Sequence, residues 1–320
     1  MRRVRMQSVK FDLIGNNGTI PCIHLSQELK RIEDLYELKN EIEELTSIYG
    51  GVLFRGFSIN SSDHFEKVAK TFAPVLDDYM YRSTPRTKLE GKIYTSTEYP
   101  KDRHIPLHNE FSYFTRWPKK IFFHCVSEPS FKGETPIADC RKVYKRIQSE
   151  IINKFEALGV MYVRNYTQGV DLAWQTVFQT DDKSEVEKYC NLNNIQFSWE
   201  QNGNELTTKQ TCQATTIHPL TKEKVWFNQA HLFHISSLNK EHQEALIEML
   251  GKENLTRNSF YGDGSELELD FLEVIRESYE KEKILFSWQK GDILMLDNIL
   301  MAHGREPYDG PRKIIVAMGS

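Results

Sequence analysis

Three places in this 320-residue chain put a glutamate two residues after a histidine: His64-Phe65-Glu66, His108-Asn109-Glu110 and His242-Gln243-Glu244. An imidazole nitrogen and a carboxylate oxygen are two thirds of a 2-His-1-carboxylate set, which holds Fe(II) while leaving coordination positions open for oxygen chemistry. The tripeptide does not discriminate among its three occurrences, so backbone geometry must. On a helix, residues i and i+2 are rotated about 200° apart, whereas on an extended strand they project from one face and can converge on a single ion. His64/Glu66 and His242/Glu244 fall in helical patterns and read as solvated helix faces. His108/Glu110 follows Ile105-Pro106-Leu107, where proline opposes a helix, and precedes Phe111, Tyr113 and Phe114, residue types that favour strand.

That pair needs a second histidine, and His303 is the best placed. It stands in Gly291-Asp-Ile-Leu-Met-Leu-Asp297-Asn298-Ile-Leu-Met-Ala-His303-Gly-Arg305, just beyond a strongly apolar strand and before a glycine-containing turn. Taken alone, such a histidine also fits a hydrogen-bonded core position. His231-Leu-Phe-His234 offers another pair, but without the catalytic carboxylate of a HExxH zinc hydrolase it reads as an aromatic, partly buried loop.

The elements around these residues are mixed. Leu29, Ile32, Leu35, Leu38, Ile42, Leu45 and Ile48 recur at steps of three and four before Gly50-Gly51, predicting a helix over 28–50. Gly51–Phe57 reads as a strand, and a helix over 62–72 is introduced by Ser61-Ser62-Asp63. Phe111–Glu128 is strand-like, 139–158 has helical spacing, and Lys240–Leu250 is a helix capped by Asn239. The last third alternates short β-type runs (Val225–Asn228, Ile284–Trp288, Asp292–Asp297, Lys313–Met318) with Gly-marked turns. Many short strands with inserted helices predict a β-sandwich or barrel core, with strands from both chain ends meeting in one sheet system.

Composition narrows the function classes. With 41 basic and 45 acidic residues the net charge is -4, which gives no electrostatic excess for nucleic acid or an anionic membrane. The basic start Met1–Met6 runs into polar sequence rather than an apolar signal, and no window approaches a membrane span, so the expectation is a cytoplasmic protein. Five cysteines without a CxxC pair (Cys22, Cys125, Cys140, Cys190 and Cys212) fit buried, reduced thiols. No GxGxxG follows a strand, and phosphate-loop and Ser-His-Asp hydrolase signatures are absent.

Five segments together resemble the taurine dioxygenase/TfdA-like superfamily of Fe(II)/2-oxoglutarate-dependent oxygenases: His108-Asn-Glu110-Phe-Ser-Tyr113, Trp117–Phe123, Gly133-Glu-Thr135-Pro136-Ile-Ala-Asp139, Val225–His231, and His303-Gly-Arg305 with Gly310-Pro-Arg312-Lys-Ile. They lie in family order over roughly 90–318. The branch most resembled is that of clavaminate synthase and the SyrP-type amino-acid hydroxylases of peptide biosynthesis, which use Glu in the metal motif. The resemblance implies a double-stranded β-helix (jelly-roll, cupin-like) core flanked by helices, in one oxygenase domain over 1–320 whose N-terminal segment 1–75 packs on the core. It implies Fe(II), 2-oxoglutarate as co-substrate and O2.

By the same resemblance His108, Glu110 and His303 hold the iron, Thr135 hydrogen-bonds the co-substrate and Arg312 pairs with its distal carboxylate. Guanidinium suits that bidentate task better than ammonium, although Lys313 competes for the position by a one-residue gap. The taurine-type enzymes carry a second, substrate-binding arginine where this chain has Val316, which argues against a sulfonate held there. Glu110 argues against halogenation, since related halogenases replace that carboxylate. The implied reaction couples oxidative decarboxylation of 2-oxoglutarate to oxidation of an unactivated C–H bond, by hydroxylation or by desaturation or cyclisation. Candidate substrate contacts are Asn109, Tyr113 and Arg305, and more distantly Arg82, Arg116 and Asn228. The implied partner is an amino-acid-like small molecule, free or tethered as a thioester on a carrier protein; the rival from another class is a jelly-roll binding shell without activity.

Overall fold

The computed structural model describes residues 10–16, 18–24, 31–59, 61–79, 81, 84, 86–97, 99–167, 169–200 and 203–320. Its largest sheet has seven strands in the order Asp12–Ile14, Ile20–His24, Gly51–Arg55, Ile293–Asp297, Lys120–Ser127, Lys313–Gly319 and Tyr94–Thr95. All neighbours are antiparallel except Ile20–His24 with Gly51–Arg55. The central strands are apolar on both faces, and the two-residue period of a strand divides them between two cores. Leu53, Phe123, Leu294 and Val316 point into one hydrophobic cluster, while Val52, Phe122, Met295 and Ile315 point into another beneath the helices Lys39–Tyr49 and Ser62–Phe72.

A three-stranded sheet, Ile105–His108, Met301–Arg305 and Ile137–Asp139, lies against the first of these faces. The ring of His303 from this sheet packs 5.0 Å from that of Phe123 on the large one. The chemistry-bearing residues therefore sit between a large and a small sheet, in a double-stranded β-helix core with helices outside it.

Several boundaries differ from the sequence expectation. The helix predicted over 28–50 is a 3-10 turn, Ile32–Tyr36, followed by an α-helix, Lys39–Tyr49; residues 28–30 lie outside the described residues. Gly50 ends it at φ +82°, and a Cβ there would come within 2.4 Å of Met301, so only glycine fits. The helix over 139–158 is broken by extended backbone at Ile147 and Gln148 into Cys140–Arg146 and Ser149–Leu158. In Phe111–Glu128 the strand begins only at Lys120, and Ile284–Trp288 supplies a single bridge, Ile284 to Ile137. Ser61 and Asn239 cap their helices as expected, each accepting from the backbone N–H three residues on.

A four-stranded sheet was not foreseen: Gln196–Trp199, Leu206–Cys212, Val160–Tyr166 and Arg257–Tyr261. Its alternation is written partly in polar residues, because the buried positions of Leu206–Cys212 are Leu206, Thr208, Gln210 and Cys212. All five cysteines are free and buried, and burial pushes the thiols up to about 11 at Cys22 and about 12 at the others, which leaves them unreactive. Among the described residues no helix is long and apolar enough to cross a membrane.

Candidate metal and co-substrate site

The small sheet sets the two histidines. Its antiparallel register places His303 directly opposite His108, with ring centroids 4.6 Å apart. The extended pairing predicted for His108 and Glu110 is not what brings the carboxylate in: the strand ends at His108, and Glu110 lies in the turn that follows. Phe111 then takes the left-handed region at φ +59°, a strained position for a bulky residue. One nitrogen from each histidine and a Glu110 oxygen all lie within 4.8 Å of one another, and His303 Nε2 is 3.8 Å from Glu110 Oε2.

The surroundings prepare these groups as ligands. His108 Nδ1 donates to Pro106 O at 2.8 Å, which leaves the Nε2 lone pair for a metal. Burial holds both imidazoles below the ordinary histidine range, His303 further so through neighbouring His108 and Arg86, and a neutral ring is the ligating form. Asn298, fully buried, accepts from Glu110 N at 2.8 Å and donates to Glu110 O and Pro118 O, each at 2.9 Å. Two neutral imidazoles, one carboxylate and fixed outer partners are a donor set suited to Fe(II).

A cavity opens beside this set. Phe123, Ile314 and Val316 form an apolar wall, and Thr135 and Arg312 bring polar groups to it. Thr135 Oγ1 accepts from Trp288 Nε1 at 3.1 Å and Arg312 Nη2 at 3.3 Å, so its own O–H is the donor left for a ligand. Arg312 Nε donates to Gly133 O at 2.9 Å. Burial, with Arg305 nearby, pushes the Arg312 guanidinium down to about 10. A dicarboxylate that chelates a metal through one end and meets Arg312 with the other fits this wall. Lys313 is exposed and does not line the cavity.

The remaining sequence candidates stand elsewhere. Asn109 is buried with its amide on Asn298 O and Cys140 Sγ, and Tyr113 donates to Tyr81 O; neither lines the cavity. Arg305 does line it, but its guanidinium donates to the carbonyls of Tyr99, Pro100 and Arg103. Arg116 is exposed, Asn228 donates to Ala214 O and accepts from Ala230 N, and Arg82 lies outside the described residues. His64 bonds Glu33 and His242 bonds Asn239, both on helices, while His231 stacks on Tyr279 and donates to Leu107 O beside His108 without joining the converging set. Sequence reasoning missed Arg86, whose Nη2 donates to Glu110 Oε2 at 2.7 Å, and the role of Asn298.

Residues 26–318 match the model of the family described as taurine catabolism dioxygenase TauD, TfdA family. The dapdiamide synthesis protein DdaC of Enterobacter agglomerans is 42% identical over 277 residues, covering 87% of this chain and 84% of that protein. A clavaminate synthase-like protein of Arabidopsis thaliana is 30% identical over 290 residues, 88% of this chain and 84% of its own. Among solved structures, PvcB of Pseudomonas aeruginosa, an Fe, α-ketoglutarate dependent oxygenase from an isonitrile synthetic pathway, superposes with a TM-score of 0.58 at 12% identity over 99% of this chain and 94% of that one.

Proposed function

We propose, on the premise that this chain belongs to the TauD, TfdA dioxygenase family, that His108, Glu110 and His303 hold its Fe(II) and that Thr135 and Arg312 receive its 2-oxoglutarate. The protein is a 2-oxoglutarate-dependent dioxygenase using Fe(II), 2-oxoglutarate and O2. The observation that carries the ligand assignment is the register that faces His303 onto His108 with the Glu110 carboxylate within 4.8 Å of both. Bound iron and 2-oxoglutarate supply an oxidant for an unactivated C–H bond. The chain's own part is to fix three ligands, keep both imidazoles neutral, neutralise the distal carboxylate with Arg312 and line the reaction space with Phe123, Ile314 and Val316.

The substrate in this reading is an amino acid or an aminoacyl group tethered to a carrier protein, hydroxylated in the biosynthesis of a specialised peptide metabolite. Supporting it are the similarity to a dapdiamide synthesis protein and the apolar Val316 in the cavity wall. Residues 1–320 act in it as one domain, since strands from both ends share the large sheet.

The test is anaerobic titration of apo-protein with Fe(II) and then 2-oxoglutarate, followed by the visible charge-transfer band that bidentate chelation produces. A band saturating near one equivalent is expected, and its absence from folded protein would sink the assignment. Succinate release with free amino acids against carrier-bound aminoacyl thioesters then chooses the substrate form, and product analysis separates hydroxylation from desaturation or cyclisation.

A further inference from the structure

Arg86 lies in the wall of the cavity with its side chain 3% exposed, and it donates from Nη2 to Glu110 Oε2 at 2.7 Å. This is the same oxygen that lies 3.8 Å from His303 Nε2. The guanidinium rests 4.5 Å over the ring of Tyr79. Tyr79 is itself fixed, with its hydroxyl 3.1 Å from Thr84 Oγ1 and its ring edge-on to Phe111 at 5.5 Å. Phe111 is the strained residue directly after Glu110, so one aromatic shelf supports both partners of the ion pair.

A buried ion pair returns in attraction roughly what its desolvation costs, and apolar side chains of like volume often serve stability as well. Its value here lies in the oxygen it selects. A carboxylate can bind a metal through one oxygen or both, and a 2-His-1-carboxylate set leaves three open positions only when one is used. Chelation by both would pull Oε2 out of line with Nη2 and break a charge-assisted hydrogen bond of near-optimal length. We propose that Arg86 is a positioning residue that holds Glu110 as a one-oxygen ligand, preserving the positions that 2-oxoglutarate and O2 require.

The inference rests on Glu110 being a metal ligand, and its test separates the two. Full-length wild type, Arg86→Met and Arg86→Lys are titrated anaerobically with Fe(II), then with 2-oxoglutarate. The separation of the Glu110 carboxylate stretching bands is read by infrared difference spectroscopy, with Glu110→Gln identifying the bands. Arg86→Met should bind Fe(II) at least as tightly as wild type, lose at least about tenfold in 2-oxoglutarate affinity, and show bands narrowed toward a chelating carboxylate. Arg86→Lys, which keeps charge and one donor, should fall between. Parallel loss of metal and 2-oxoglutarate affinity, or unchanged bands, would overturn the role of Arg86. If Arg86→Met does not fold, Arg86→Lys decides on the same two readouts. Failure of wild type to bind Fe(II) would instead reject the ligand assignment.

Discussion

Asn298 holds Glu110 by both of its backbone polar groups, accepting from the N–H at 2.8 Å and donating to the carbonyl at 2.9 Å across 188 residues of sequence. Its remaining amide proton goes to Pro118 O. The turn that delivers the carboxylate is thus clamped to the end of the strand that leads to His303. Asn298→Ala strands three buried backbone groups, at roughly 1–3 kcal/mol for each that finds no water. The variant should unfold at lower urea and bind Fe(II) at least about tenfold more weakly. Wild-type metal affinity in the folded variant would show that the clamp does not position the ligand.

Arg312 and Lys313 are adjacent, yet only the arginine lines the cavity. Arg312→Lys loses the fork that reaches Gly133 O and Thr135 Oγ1 together. Its half-saturating 2-oxoglutarate concentration should rise about 10- to 100-fold by analogy with other lost charge-assisted pairs. Lys313→Gln should stay near wild type. The reverse order in steady-state titrations would move the anchor to Lys313.

Four single histidine variants test the geometric choice among the His-x-Glu tripeptides. His108→Ala and His303→Ala should lose bound iron and 2-oxoglutarate turnover while keeping a cooperative thermal transition. His64→Ala and His242→Ala should keep full metal content, since those rings bond Glu33 and Asn239 on helix first turns. Metal analysis after gel filtration reads both outcomes, and iron lost from either helix variant would contradict the helix-face assignment.

Arg305, two residues beyond His303, lines the cavity but makes its hydrogen bonds to the carbonyls of Tyr99, Pro100 and Arg103. It ties the segment over 99–103 to the strand that carries a ligand. Arg305→Gln should raise amide hydrogen exchange in 99–103 by about tenfold or more, since at least two charge-assisted bonds worth about 1.5–3 kcal/mol each are lost. Exchange unchanged from wild type would return Arg305 to the pool of candidate substrate contacts.

The local patterns announced His108 through the proline before it, His303 through the apolar strand before it, and the two-sided strands at residues 293–297 and 313–319 through their apolar runs. Arg86 and Asn298 announced nothing. Their partners lie 24 and 188 residues away, and a single polar residue carries no period from which such a meeting could be read. Glu110 reached the site by a route different from the one its spacing suggested, because a turn with Phe111 in the left-handed region substitutes for strand geometry. The four-stranded sheet stayed hidden for a related reason: Thr208, Gln210 and Arg164 are buried in it, so burial and hydrophobicity part company there.

The helix-turn histidines His231 and His234 give the apo-protein a pH dependence of defined sign. Burial holds His231 down to about 3 and His234 down to about 4, against 6.5 for the unfolded side chain. Above pH 6.5 neither form of the chain takes up a proton at these rings, so stability there is at its full value. As pH falls below 6.5 the unfolded chain is protonated first, and stability is lost at on the order of 1 kcal/mol per pH unit for each ring until the folded pKa is reached. Urea unfolding of apo-protein should therefore give a flat plateau from pH 8 to about 7 and a fall from 6.5 toward 4. His231→Phe keeps a ring against Tyr279 but gives up the hydrogen bond to Leu107 O. The variant should be less stable at pH 8 and lose stability more slowly on acidification. A slope as steep as wild type in that variant would mean that His231 is not among the groups driving acid unfolding.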